Sequence, residues 1–334
     1  MAGRRTNLAL TGLLIGAAAT GVAAFAIGTP HGRWVVVAHA ILGIGVVALA
    51  PWKSVVARRG LARRRSGTTT SVVLSIAVGV TLVSGFLQAL GAASRIGPLT
   101  TMQVHVGSAL IALALTAAHV RRRPTRPRQA DLSRRNTVRA VGLLAVAAAA
   151  YGSVEVAQRL AGTRGANRRF TGSHERGSFD PAAMPVTQWI DDRVQHIAAE
   201  HHRLIVRDPS GERSVDVAEL ERHDDRLVAT LDCTGGWYAT QEWAGARLDR
   251  IVDTSEATSI VVVSATGYQR RFPATDAAHL LLATRAGNRA LSAGHGAPVR
   301  LVAPGRRGFW WVKWVTEVSA EDRPSWLQLP FPIT

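Results

Sequence analysis

The chain contains one cysteine, Cys233, which excludes an internal disulfide and any site that needs several thiolates. It stands in Leu231-Asp232-Cys233-Thr234-Gly235-Gly236-Trp237, where a strand-like run ends at a glycine turn. A solitary soft thiolate in that position suits a metal whose other ligands arrive with a cofactor. A buried packing cysteine suits the same spacing, and the residues by themselves leave both readings open. Two histidines raise a second chemistry. His39 and His105 each lie a few residues inside an apolar stretch, where a polar side chain is costly and usually functional. Paired imidazoles on facing helices fit the axial ligation of a haem b, with Gly43, Gly45, Gly85 and Gly107 giving a porphyrin room. They fit equally a hydrogen bond between helices, or a quinone or proton role. His119 has no histidine partner at its depth, so no second haem is expected.

The elements that must position these groups fall into two parts, 1–160 and 161–334. The first part holds five apolar stretches, at 8–27, 34–51, 72–93, 102–120 and 138–157. Each is long enough to cross a hydrocarbon layer of about 30 Å as a helix, so a five-helix membrane bundle is expected. Charge sets its orientation. Arg4 and Arg5 precede the first span. Lys53, Arg58, Arg59, Arg63, Arg64 and Arg65 separate the second from the third. Arg121, Arg122, Arg123, Arg126, Arg128, Arg134, Arg135 and Arg139 separate the fourth from the fifth, while the other side carries only Arg33 and Arg95. Basic connections stay cytoplasmic. The N-terminus is therefore expected inside, and everything after the fifth span outside. A formal charge of +17 would suggest nucleic acid, but the excess lies in these connections and residues 161–334 are formally neutral. The basicity encodes topology and contact with anionic lipid, not nucleic-acid binding.

From residue 161 the pattern becomes mixed polar and apolar. Leu204–Arg207, Leu227–Asp232, Ser259–Ala265 and Val299–Val302 read as strands, and Pro185–Ala199 and Asp276–Thr284 as short helices. Strands and helices without regular alternation favour an α+β domain. No dinucleotide glycine fingerprint, phosphate-binding loop, zinc-protease helix or serine-hydrolase elbow is present.

Three blocks in order then carry a resemblance. The stretch from Cys233 through Trp237, Trp243 and Gly245 to Leu248 resembles the cysteine segment of the sulfite oxidase superfamily of molybdopterin enzymes. Its spacing is nearest to that of periplasmic methionine sulfoxide reductase catalytic subunits. His295-Gly296-Ala297-Pro298-Val299-Arg300, then Gly305, Gly308 and Val312-Lys313-Trp314, resembles the family's second signature. Arg169-Phe170-Thr171-Gly172-Ser173 resembles the start of its pterin pocket. The resemblance covers roughly residues 168–320. It implies a mixed α+β molybdopterin domain in which Cys233 is the one protein ligand to molybdenum. Around the pterin it implies Phe170, Thr171, Gly172, Ser173, His174, His295, Arg300, Gly305, Gly308 and Lys313. Arg300 would grip a phosphate with its planar fork and Lys313 add a compact charge, while the glycines would let the main chain approach closely. His174 stands where another cofactor-flanking group is expected, which leaves its role unsettled.

Trp237 and Tyr238 replace the arginine that sulfite-oxidising relatives place after the cysteine. This favours a neutral sulfoxide or N-oxide over sulfite, with Tyr268 as a hydrogen-bond donor to substrate; Arg270 or Arg271 would restore anion binding. Ser133-Arg134-Arg135-Asn136-Thr137-Val138-Arg139 resembles a twin-arginine export signal, which suits a domain that folds around its cofactor before crossing the membrane. Positive-inside charge alone also explains it. The expected whole is a multi-pass cell-membrane oxidoreductase with its catalytic domain outside, exchanging electrons through a haem b, a quinone or another redox partner. The competing readings are a sulfite-oxidising enzyme of the same superfamily and a non-catalytic tethered sensory module.

Overall fold

The computed structural model describes residues 2–62, 68–122, 124–189 and 192–331. Arg63, Arg64, Arg65 and Arg123, counted above in the basic connections, lie outside them. The chain divides into two compact units, Met1–His174 and Glu175–Thr334, where the sequence suggested a division after residue 160.

The first unit is built on α1 (Ala2–Ala26), α2 (Gly32–Ala62), α3 (Thr68–Leu90), α4 (Thr101–Arg122) and α5 (Arg134–Leu160). All five are long and apolar enough to cross a membrane. Large apolar side chains stay exposed along them, among them Ile15, Val22, Ile76, Leu110 and Val141. Water would not tolerate apolar faces on that scale, whereas lipid would. α1 packs on α2 and α3 on α4, forming two hairpins, with α5 against α2. The α3–α4 link carries a short ribbon, β1 (Arg95–Ile96) with β2 (Leu99–Thr100). Residues 164–174 belong to this unit because they are tied to its helix ends. Arg168 pairs with Glu155, Gln88 Nε2 donates to the Gly172 carbonyl at 3.2 Å, and His174 Nε2 donates to the Gln88 carbonyl at 2.6 Å.

The second unit is α+β, with two sheets. The first runs β11 (Arg289–Ala290), β10 (Leu281–Ala286), β7 (Trp237–Arg247) and β3 (His174–Glu175), with β12 (Arg300–Val302) also on β10 and β6 (Asp225–Cys233) also on β7. The second runs β5 (Gly211–Val215), β4 (Leu204–Asp208), β13 (Val315–Glu321), β8 (Ser259–Ser264) and β9 (Gln269–Pro273). β4 and β13 pair in parallel, whereas β10 with β11, β12 and β7, β6 with β7, β8 with β13 and β9, and β4 with β5 pair antiparallel. Leu204, Val206, Ile260, Val262, Leu281, Leu282 and Leu301 form the dry centre of the unit.

The four expected strands are present as parts of β4, β6, β8 and β12. Both expected helices need correction. The described residues of 185–199 form no helix, because tertiary bonds hold the segment open: Thr187 Oγ1 accepts from the Trp237 indole and the Thr187 carbonyl from Lys313. Residues 190 and 191 of that stretch lie outside the described residues. The 276–284 stretch splits into a 3₁₀ turn, Ala274–His279, and the start of β10. A short apolar run buried on both faces carries no periodicity that separates helix from strand.

Candidate active site

β6 and β7 form a tight hairpin whose last pair is Cys233 opposite Trp237, joined by Thr234-Gly235-Gly236, with Gly236 at φ +89°. Cys233 is thus fixed at a strand end beside a turn that only glycine takes without strain. Its side chain is 9% exposed, and its Sγ accepts the Gly235 amide N–H at 3.3 Å. Burial pushes the thiol up; the Gly235 N–H, Arg307 and Lys313 oppose that shift. A metal bound by Cys233 would supply the missing compensation for a buried thiolate.

Arg300, at the start of β12, is 1% exposed. Its guanidinium lies 5.0 Å from the ring centre of Trp243 and 5.6 Å from that of Trp311. One nitrogen donates to the His295 carbonyl at 3.0 Å, while Nε is buried without a hydrogen-bond partner among the described residues. Lys313 Nζ donates to three acceptors, the carbonyls of Gly294 at 2.6 Å and Thr187 at 2.9 Å and Gln188 Oε1 at 3.2 Å. Burial first, then Arg300, pull Lys313 down to about 7; burial pulls Arg300 down to about 9. One buried and one half-buried cation beside one thiol, the buried one with an unsatisfied N–H among the described residues, fit an anionic, metal-bearing group. Trp314 supports the arrangement at φ +50°, a strained conformation for a large side chain, with its indole N–H on the Ala293 carbonyl at 2.8 Å.

Lys313 yields a pH prediction. Its pKa is lowered from 10.5 in the fold, so between about 7 and 10.5 the unfolded chain holds more protons and stability rises with pH. In the cofactor-free full-length protein, thermal stability should climb from pH 7 to 9, and Lys313→Met should flatten that climb. A wild-type profile no steeper than the variant's contradicts the assignment.

The other expected residues fall in different places. His295 is buried and both ring nitrogens are committed, Nε2–H to the Met184 carbonyl at 3.1 Å and Nδ1 to the Ser292 hydroxyl at 2.8 Å. Burial and the two nearby cations hold it neutral, down at about 4, so its ring braces the 184–185 segment. Gly305 sits at φ +74° with open space beside it. At Gly308 a β-carbon would stand 3.0 Å from Cys233 Cα, so the close approach it permits is between two stretches of this chain. Tyr268 is buried; its hydroxyl donates to the Phe309 carbonyl, and burial raises its pKa. Phe170, Thr171, Gly172, Ser173 and His174 lie in the first unit. There Arg169 N–H bonds the Ser173 carbonyl at 2.8 Å, closing a turn, and Thr171 Oγ1 meets Ser173 Oγ at 3.3 Å.

Sequence reasoning missed the pair that fastens the site. Arg307 bonds Asp232 at 2.5 Å, the two being 3% and 2% exposed, with a parallel bridge between their backbones. This ties the 305–308 loop to the strand that carries Cys233. Their adjacency to Cys233 and Gly308 was visible, but a bridge between residues so far apart in sequence was not.

Residues 191–327 match the oxidoreductase molybdopterin binding domain, a range that includes Cys233, Arg300 and Lys313 and leaves out 170–174. No curated protein matches the chain. Among solved structures, the sulfane dehydrogenase SoxCD from Paracoccus pantotrophus is similar at 23% identity and a TM-score of 0.37, over 39% of this chain and 40% of that one. This chain therefore spans less than half of that structure's length. The thiol, the cations and the matched range agree, and the second unit of this chain carries an oxidoreductase molybdopterin binding domain.

Proposed function

We propose that the chain is a membrane-anchored molybdenum oxidoreductase acting by two-electron oxo transfer on sulfoxides or N-oxides at the outer face, exchanging electrons within the membrane through a haem b or a quinone. The observation that carries this reading is the cluster of Cys233, Arg300 and Lys313, a buried thiol with one buried and one half-buried cation. When bound, molybdenum-molybdopterin supplies a metal able to exchange an oxo group and two electrons. Cys233 is its protein ligand, made a better thiolate by the Gly235 amide and the cations nearby. The free Nε–H of Arg300 suits a cofactor oxygen. Lys313, its three donors already committed to the chain, contributes charge and holds the 187–188 segment in place.

The arginines argue for an uncharged substrate. Arg271 pairs with Glu321 at 2.7 Å, Arg307 with Asp232, and Arg270 lies 3.9 Å from the Trp310 ring centre and donates to the Leu329 carbonyl at 3.2 Å. Each has a partner within the chain, Arg270 and Arg307 keeping only a buried Nε–H unpaired among the described residues, whereas a sulfite dianion needs a cation whose charged face is open to it. Dye-linked turnover of the molybdenum-loaded enzyme tests this. Sulfoxide or N-oxide reduction should exceed sulfite oxidation in kcat/KM by at least about ten-fold, roughly 1.4 kcal/mol. Faster sulfite oxidation would transfer the assignment to the sulfite-oxidising branch, and no turnover of any of them by the pterin-loaded protein would leave a binding module.

The basic α2–α3 and α4–α5 connections support an internal N-terminus. The arginine pair 134–135 at the start of α5 supports twin-arginine export of the folded domain. A reporter fused after residue 165 should be active only outside the cytoplasm; activity inside would reverse the topology.

A further inference from the structure

The two helical hairpins of the first unit repeat one local device. On the second helix of each, a histidine donates Nδ1–H to a main-chain carbonyl of the first helix: His39 to Ala17 at 2.9 Å and His105 to Thr81 at 2.8 Å. Four residues beyond each carbonyl stands a glycine, Gly21 and Gly85, preceded by a hydroxyl residue, Thr20 and Ser84. Both hydroxyls turn back to their own helix, Thr20 to the Gly16 carbonyl at 2.7 Å and Ser84 to the Val80 carbonyl at 2.6 Å. The glycines are what lets the rings in. A β-carbon at Gly85 would lie 2.9 Å from His105 Cε1, and one at Gly21 3.2 Å from His39 Cε1.

This device fixes the tautomer. A neutral imidazole that donates from Nδ1 carries its lone pair on Nε2, the form that binds metals, with the carbonyl as the outer support metal-binding histidines usually have. The ring centres lie 5.9 Å apart with the planes perpendicular. No hydrogen bond to either Nε2 occurs among the described residues. Two imidazoles on opposite sides of one metal, each with a metal–nitrogen bond of about 2.0–2.1 Å, bring their ring centres roughly 6 Å apart. Among the described residues no group of three or more His, Cys, Asp or Glu could hold a metal ion. A metal held by this pair must therefore bring its own equatorial ligands. Gly43, one turn beyond His39 on the same helix face, has no atom closer than 4.0 Å to where a β-carbon would stand, which leaves space beside that ring; Gly107, two residues beyond His105, is exposed on the opposite face of α4 and adds none. The lone cysteine lies in the other unit and belongs to the molybdenum site, so no thioether attachment is available.

We propose that His39 and His105 are the two axial ligands of a non-covalently bound, b-type haem held between the α1–α2 and α3–α4 hairpins. This deepens the membrane electron exchange assigned above by choosing haem over quinone, and it rests on residues separate from the molybdenum site. The test uses the full-length protein purified in detergent from haem-replete cells. One haem per chain is expected by pyridine haemochrome assay, with a reduced-minus-oxidised b-type spectrum. The ferric form should give the highly anisotropic low-spin EPR signal that perpendicular axial imidazoles produce. His39→Ala and His105→Ala should each lose that signal, and added imidazole should restore a low-spin signal to His105→Gly. Gly85→Val should weaken haem retention by forcing His105 off its carbonyl. Cys233→Ser should retain full haem, which separates a failure here from a failure of the molybdenum reading. A haem-free wild type, an unchanged signal in both histidine variants, or binding of zinc alone at the pair would overturn the proposal.

Discussion

Cys233→Ser is expected to reduce turnover by at least about 10³-fold, some 4 kcal/mol of transition-state stabilisation, while leaving the pterin bound. The separation follows from the site's construction. Arg300 and Lys313 would hold the anionic part of the cofactor independently of the sulfur, Arg300 being buried and Lys313 half-buried and fixed by its three acceptors. A serine hydroxyl is a hard, weakly acidic donor that does not replace a thiolate on a soft metal centre. Cys233 lies in the core beside Trp237 and Gly235, and exchanging sulfur for oxygen there is a small change in volume. The folded domain should therefore survive. Pterin fluorescence after denaturation and dye-linked activity, measured on one preparation, check the claim. Loss of pterin and activity together would place the cysteine's role in folding, not ligation.

Asp232→Asn should have the largest effect on stability, about 3–5 kcal/mol, because it leaves the Arg307 charge buried without its partner. The loss should extend to the cofactor, since the same pair holds the 305–308 loop against the cysteine strand. Removing both charges, as Asp232→Leu with Arg307→Met, should recover much of the stability, because a buried ion pair and a packed apolar pair often differ little in net worth. Thermal unfolding and molybdenum content of the single and double variants distinguish the cases. Equal losses in the single and double variants would mean that the pair itself is not the fastening.

The fold was most legible in the first unit. There the physics is one-dimensional: a hydrocarbon layer demands long apolar helices, and each of α1–α5 coincides with a stretch visible in the sequence. His39 and His105 stood out for the same reason, as polar side chains in apolar runs. The carbonyl behind each ring was hidden, because it sits on a different helix, and Gly85 stood out as space for a porphyrin where it in fact seats the His105 ring. In the second unit, β4, β6, β8 and β12 announced themselves through β-branched or alternating residues. β7 did not, since Thr240, Gln241 and Glu242 interrupt its apolar face. The segment after Pro185 read as a helix because local sequence does not record the bonds from Lys313 and Trp237 that hold it open. At the site, Cys233 and Arg300 were readable from residue types and resemblance. For Tyr268, nothing local reveals that its hydroxyl meets the Phe309 carbonyl. The Asp232–Arg307 pair escaped notice for a related reason: two charged residues look like surface until the fold buries them together.

X-ray absorption at the molybdenum edge examines the sulfur–metal bond itself. The wild-type protein should show a sulfur shell that includes one thiolate beyond those of the pterin, and Cys233→Ser should lose that single sulfur while keeping the rest. Identical sulfur shells in the two proteins would mean that the chain's only thiol does not touch the metal.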